Sequence, residues 1–189
     1  VTSGTNYGSS SSFGGGMGPG GMRPGGGGGG NSSDTSKSSK AIKFDGNLYF
    51  SGTTVYVKCS YHEGIEAKST ITISGGNIYS YSYDDAINSA HTFTGNDGLD
   101  ANGNFYINGG TVYAVGSGGA EVGIDANTEG GYKLYIKGGN IIAISGLENG
   151  SSLSQGVVTT SLTKDTPYTL MNGKTVLSAF KAPSVMKTT

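Results

Sequence analysis

The sequence predicts an all-β chain built as a parallel β-solenoid, and three observations carry that expectation. A short module recurs four times between Ala41 and Ile144, each copy holding a two-residue hydrophobic entry, a strand, a glycine turn and a second strand. Within each copy apolar residues alternate at period two, and the helical period never appears. Strands of three to five residues cannot bury a core alone, but a repeat of twenty-odd residues lets equivalent positions stack about 4.8 Å apart, one coil per module.

The chain divides by composition. Of its 36 glycines, 14 fall in the first 30 residues, and residues 1–40 are Gly, Ser, Thr, Asn and Pro with few apolar interruptions. Such a segment cannot offset the entropy of ordering its backbone, so it reads as a flexible arm, unless it orders against a partner, a neighbouring subunit or the domain's own end. Residues 41–156 hold the repeats. In residues 157–189 two or three strands around a turn at Asn172-Gly173 read as a cap over an otherwise open strand edge.

In register, the copies start at Ala41, Gly64, Gly98 and Gly123, spaced by 23, 34 and 25 residues. The first strand turns Leu48 and Phe50, Ile71 and Ile73, Phe105 and Ile107, and Leu134 and Ile136 inward. The second turns in Val55 and Val57, Ile78, Val112 and Ile141. Gly75-Gly76, Gly109-Gly110 and Gly138-Gly139 mark a corner where the chain bends sharply, with Gly52-Thr53 there in the first copy. The entry column is Ile42, Ile65, Ile87, Leu99 and Ile124. Asp85-Ala86-Ile87-Asn88 looks like a further start, yet Gly98 follows too soon for a full coil, so the segment around His91 is expected to be a partial coil or a loop.

Charge limits the partners. The formal net charge is −1, the lysines are scattered and Arg23 is the only arginine, so no basic stripe exists to neutralise a phosphate backbone and nucleic acid is not expected. No run of 18 apolar residues predicts a membrane span, and a chain starting at Val1 is compatible with a mature secreted or cell-surface product. Cys59 stands alone in a strand pattern and reads as a small buried hydrophobe.

Acidic residues gather at one corner. Glu63, Asp85 and Asp97 stand just before coil starts, with Asp84 beside Asp85 and Glu121 near the fourth start, and Glu66, Asn88, Asp100 and Asp125 follow two residues after a start. Stacked at about 5 Å, each like-charged pair costs on the order of 1 to 3 kcal/mol. The row either stays hydrated, with asparagine ladders steadying the turns, or raises its carboxyl pKa values, or binds a cation. Calcium suits such a row best, because it takes six to eight oxygens in flexible geometry, and Asn102, Asn104, Asn127 and Glu129 add further oxygens. An EF-hand is rejected: Thr111 and Ile136 stand where its bidentate glutamate belongs, and no helices flank the loops.

Two outward columns are aromatic, Tyr49, Tyr106 and Tyr135 on the first strand, with Thr72 interrupting, and Tyr56, Tyr79 and Tyr113 on the second. Such faces accept sugar rings, and equally they stabilise a stacked sheet with no ligand. Catalysis is not expected. Asp84-Asp85 supplies an acidic pair of the kind glycoside hydrolysis uses, but neither His62 nor His91 has a hydrolase-like context, and Arg23 lies in the arm, away from any lyase-like site. Lys137 beside a glycine corner is the remaining candidate base, without other support.

The segments D-D-A-I-N, N-D-G-L-D-A-N-G-N, I-N-G-G-T-V-Y and E-V-G-I-D-A-N-T-E-G-G, with L-E-N-G-S-S-L-S-Q further on, resemble a bacterial family of secreted carbohydrate-binding parallel β-helix proteins. The resemblance runs from about Lys40 to Pro183. It implies a right-handed, pectate-lyase-like helix that binds acidic, polygalacturonate-type polysaccharide without cleaving it, with calcium on the turn positions Glu63, Glu66, Asp84, Asp85, Asp97, Asp100, Glu121 and Asp125. The rival expectation is a structural protein that assembles through its ends or its glycine-rich arm into oligomers or filaments.

Overall fold

The computed structural model describes residues 2–3, 40–59, 62–82, 97–118 and 121–184. Asp84, Asp85, Ile87, His91 and nearly all of the glycine-rich arm lie outside the described residues. Among the described residues the regular structure is all strand: β1 (Thr2–Ser3), β2 (Ile42–Phe44), β3 (Leu48–Cys59), β4 (Ile65–Ala67), β5 (Ile71–Ser82), β6 (Leu99–Ala101), β7 (Phe105–Ile107), β8 (Thr111–Val115), β9 (Ile124–Ala126), β10 (Leu134–Ile136), β11 (Asn140–Ile144), β12 (Ser152–Leu153), β13 (Pro167–Asn172) and β14 (Thr175–Lys181). No described helix is long and apolar enough to cross a membrane.

The repeats pair in parallel, in the register that their sequences align. In the small sheet β2, β4, β6 and β9, Ile42, Ile65, Leu99 and Ile124 are successive partners. In the large sheet the first strands align Leu48, Ile71, Phe105 and Leu134, and the second strands align Val55, Ile78, Val112 and Ile141. β12 extends the first-strand ladder beyond β10, and the backbone of β1 pairs with Lys58 and Cys59 at the edge of β3.

Because each column stacks apolar side chains on one another, the sheets share a buried core. Ile65, Leu99, Ile124, Ile71, Phe105, Leu134, Ile78 and Val112 are fully buried and belong to one core, each such side chain contributing about 1.5 to 3 kcal/mol. Cys59 lies in this buried class, as its strand pattern predicts. The corner glycines are required by geometry. Gly76, Gly110 and Gly139 have φ of 87°, 89° and 98°, and a Cβ on Gly110 would stand 2.8 Å from the carbonyl oxygen of Gly76 one rung away.

Two expectations are corrected. Ile65 pairs directly with Leu99, so no rung lies between them in the entry column. The column continues instead past Ile124 to Leu147. Secondly, the antiparallel hairpin β13–β14 turns at Gly173-Lys174, one residue later than expected, with Asn172 paired to Thr175, and it packs against the second strands of the repeats. The Tyr113 hydroxyl donates to the Lys181 carbonyl at 2.8 Å, and Phe180 and Leu162 join Tyr113, Val115 and Ile144 in a second apolar cluster. The cause is in the last two second strands, Thr111–Val115 and Asn140–Ile144, which are apolar on both faces and need cover on the outer one.

Candidate functional site

The middle residue of each strand in the small sheet points away from the core. Register therefore stacks Lys43, Glu66, Asp100 and Asp125 in one outward column. The column gains a fifth rung that the sequence expectation omitted: the Glu148 amide bonds the Ile124 carbonyl, placing Glu148 after Asp125. Its signal was Leu147-Glu148-Asn149, which repeats the hydrophobic-acidic start of the other copies without the Gly-Gly turn that normally follows. A second column stands one position before each entry. There the Gly64 amide bonds the Asp97 carbonyl, so Glu63 and Asp97 are neighbours.

The two ends of this surface differ in charge balance. At the first end Lys40 pairs with Glu63 at 2.8 Å and also with Glu66, while Lys68 pairs with Glu66 from the other side. Asn102 adds a hydrogen bond from Nδ2 to Glu66 Oε1. Burial works against the Glu66 carboxylate, but the bonds from Lys40 and Lys68 outweigh it and hold the group below the usual glutamate range. Burial likewise opposes the Lys40 ammonium, and Glu63 and Glu66 raise it overall. Glu63 and Glu66 are thus engaged in internal ion pairs.

At the other end the strongest neighbours are themselves acidic. Asp97 is only 7% exposed, and burial, followed by the charges of Asp125, Glu121 and Asp100, pushes its carboxyl up to about 9, although Oδ1 accepts a hydrogen bond from the Val122 amide. Asp100 is raised to about 7 by burial and then by Glu63 and Glu66, with Lys40 and Lys68 pulling the other way. Asp125 is raised to about 8 by burial, a side-chain hydrogen bond with Glu148, and the charges of Asp100, Glu148 and Glu129. Thr128 donates its hydroxyl to Glu148 Oε1 at 2.8 Å, and Asn127 Nδ2 bonds the Asn102 carbonyl, so the expected asparagine ladder is present beside the acids. Among the described residues no three His, Cys, Asp or Glu side chains converge to hold an ion by themselves. Asp84 and Asp85 lie outside the described residues.

The aromatic columns separate into an open face and one that is covered at its Tyr113 end. On the first strand Tyr49, Thr72, Tyr106 and Tyr135 are successive partners; Tyr49 is 67% exposed, and Tyr106 stacks on Tyr135 with ring centroids 5.1 Å apart and planes 9° from parallel. On the second strand Tyr56 and Tyr79 lead to Tyr81, Tyr113 and Phe180 in a run of tilted ring contacts. Tyr113 is 4% exposed beneath the hairpin, where burial, then Tyr81 and Tyr56, pushes its hydroxyl above the usual tyrosine range. Tyr113, expected on an open sugar-binding face, is instead a packing residue, and Tyr79 packs against the same cluster.

The arrangement offers a carboxyl row, amide side chains and an exposed aromatic face, a set suited to hydroxyl-rich ligands. A family model described as "Carbohydrate-binding domain-containing protein" matches residues 26–180. Comparison with curated proteins and with solved structures gives no match. The chain, matched over most of its length, belongs to the family of carbohydrate-binding domain-containing proteins.

Proposed function

We propose that this protein is a non-catalytic binder of acidic, pectin-like polysaccharide, exported or held at the cell surface, whose repeats wind as a right-handed parallel β-helix. Calcium held along the acidic column is part of the proposal. The observation that carries it is the run Asp97, Asp100 and Asp125, three outward or boundary carboxyls each raised chiefly by burial and further by acidic neighbours. A divalent cation is the partner that such a row lacks, and Asp97, Asp100, Asp125, Glu121 and Glu148 are the residues that would hold it. That no three converge fits a site completed by waters and by carboxylates of the sugar, since calcium takes six to eight oxygens. The ion would supply charge neutralisation and a bridge between protein and ligand.

Calorimetry of the full chain with polygalacturonate, in calcium and in chelator, tests the reading. Heat of binding in calcium that shrinks in chelator is the expected result. No binding in either condition overturns the polysaccharide, and equal binding in both overturns the calcium.

A further inference from the structure

We infer that the first-strand face carries a second, calcium-independent contact for the anionic chain, made by Tyr135, Tyr106, Lys133 and Lys137. This rests on the carbohydrate-binding reading and adds to it a subsite and a charge preference.

The alternation of β10 builds this face. Leu134 and Ile136 are buried, which turns Tyr135 outward between Lys133 and Lys137. The Lys133 amide is fixed by Asn104 Oδ1 at 2.9 Å, and the Lys137 amide by the Ile107 carbonyl at 2.8 Å, so both lysines leave a held backbone. Both are exposed, and neither has an ion-pair partner among the described residues. In this they differ from Lys40, Lys68 and Lys181, which are paired.

Stacking leaves each ring of the Tyr106–Tyr135 pair with one face turned from its partner. On the rung beyond Tyr135 stands Ser152, and on the rung before Tyr106 stands Thr72. Both are small and hydroxylated, so neither fills the space over the neighbouring ring. Beyond Thr72, Tyr49 stands on the next rung and is largely exposed. Rungs recur at about 4.8 Å, close to the length of one pyranose unit, so a chain lying along the ladder meets a ring or a hydroxyl at each step.

Two unpaired ammonium groups flanking an aromatic ring match a sugar that carries a carboxylate, and a uronate unit on Tyr135 meets both requirements. On the second strands the hairpin packs over Tyr113 and the ring contacts are tilted, so the described residues there present no parallel ring stack like Tyr106–Tyr135.

The test uses the full chain in chelator, with polygalacturonate and a neutral polysaccharide as probes. The unaltered chain is expected to keep salt-sensitive binding to polygalacturonate. The double variant Lys133→Gln/Lys137→Gln should weaken that binding about 3- to 10-fold and leave the neutral probe unaffected. Tyr135→Ala should weaken it by a similar factor, about 3- to 10-fold, while Tyr135→Phe keeps the stacking and the affinity. Unchanged melting temperatures of the glutamine and phenylalanine variants keep the comparison valid should Tyr135→Ala fold poorly. If the unaltered chain binds only in calcium, or if the glutamine variant binds as tightly in chelator as the unaltered chain, this inference falls while the carbohydrate reading stands. If the unaltered chain binds polygalacturonate under no condition, both fall.

Discussion

Asp97 Oδ1 accepts a hydrogen bond of 2.6 Å from the Val122 amide, tying the start of the third repeat to the start of the fourth. The bond favours the ionised carboxylate, yet burial and three acidic neighbours outweigh it. The same residue is therefore a structural tie and a site of unfavourable charge.

This conflict sets a pH dependence. Asp97, Asp100 and Asp125 ionise less readily folded than unfolded, so the native chain holds more protons between about pH 4 and pH 9, and its stability falls as pH rises through that window. Glu66 has the opposite sign, because its lowered pKa contributes stability that is lost as pH falls below the ordinary glutamate range. In chelator, denaturant unfolding should thus show greater stability near pH 5 than near pH 8, by on the order of 2 kcal/mol. Asp97→Asn, which keeps an acceptor for Val122, should narrow the difference. Equal stability at the two pH values in the unaltered chain would contradict the charge assignment.

Calcium should act in the reverse sense. A cation that binds only the folded chain at a hundred times its dissociation constant adds about 2.7 kcal/mol. Protons compete for the same carboxyls, so the rise in melting temperature on adding calcium should be larger near pH 8 than near pH 5. Asp100→Asn/Asp125→Asn should abolish the rise. Magnesium, which demands tighter octahedral geometry, serves as the control, and an equal rise with magnesium argues for general screening.

Much of this was legible beforehand because the repeats encode register directly. Ile65, Leu99 and Ile124 align in sequence and pair in space, since a slip of one residue would turn every apolar side chain outward. The neutralised end of the acidic row is also written there: Lys40 occupies, in the first repeat, the position of Glu63, and Lys68 follows Glu66 by two residues. Glu148 escaped because β12, which follows it, is two residues long and carries no alternation to read. The fate of Tyr113 depended on a contact with Lys181, 68 residues away, which no local pattern specifies. Its trace was only the apolar outer face of Val115, Ile142 and Ile144.

The stacking of like on like makes the columns sensitive to truncation. Leu99 is fully buried between Ile65 and Ile124, and Leu99→Ala leaves a cavity bounded by neighbours whose backbones are locked in two ladders. Its cost should be about 3 to 5 kcal/mol, the upper part of the range for such changes, because the site collapses poorly. Denaturant unfolding gives the value directly, and a loss under 1 kcal/mol would show that the rungs relax independently.

At the corner, Gly110→Ala combines two penalties. Its φ of 89° lies in the region that an L side chain reaches only at a cost of about 1 to 2 kcal/mol, and the new methyl would stand 2.8 Å from the Gly76 oxygen. Gly131 has nearly the same φ, 83°, with open space around it, so Gly131→Ala incurs only the first penalty. The alanine variant at 110 should be the less stable of the two by at least 1 kcal/mol, a difference that isolates the steric term. Equal losses at both positions would mean that the corner backbone gives way.

The hairpin offers the last test. If β13–β14 covers the outer apolar face as a packed layer, removing the Tyr113 hydroxyl leaves the Lys181 carbonyl without that donor and should cost about 1 kcal/mol in Tyr113→Phe. Phe180→Ala removes ring contacts with both Tyr113 and Tyr168 and should cost more, about 2 to 4 kcal/mol, since Phe180 is only partly buried. The two changes touch one contact, so their effects should couple, with the double variant losing less than the sum. Strict additivity would place the hairpin apart from Tyr113 in solution, and the second-strand tyrosines would then return as candidates for sugar binding.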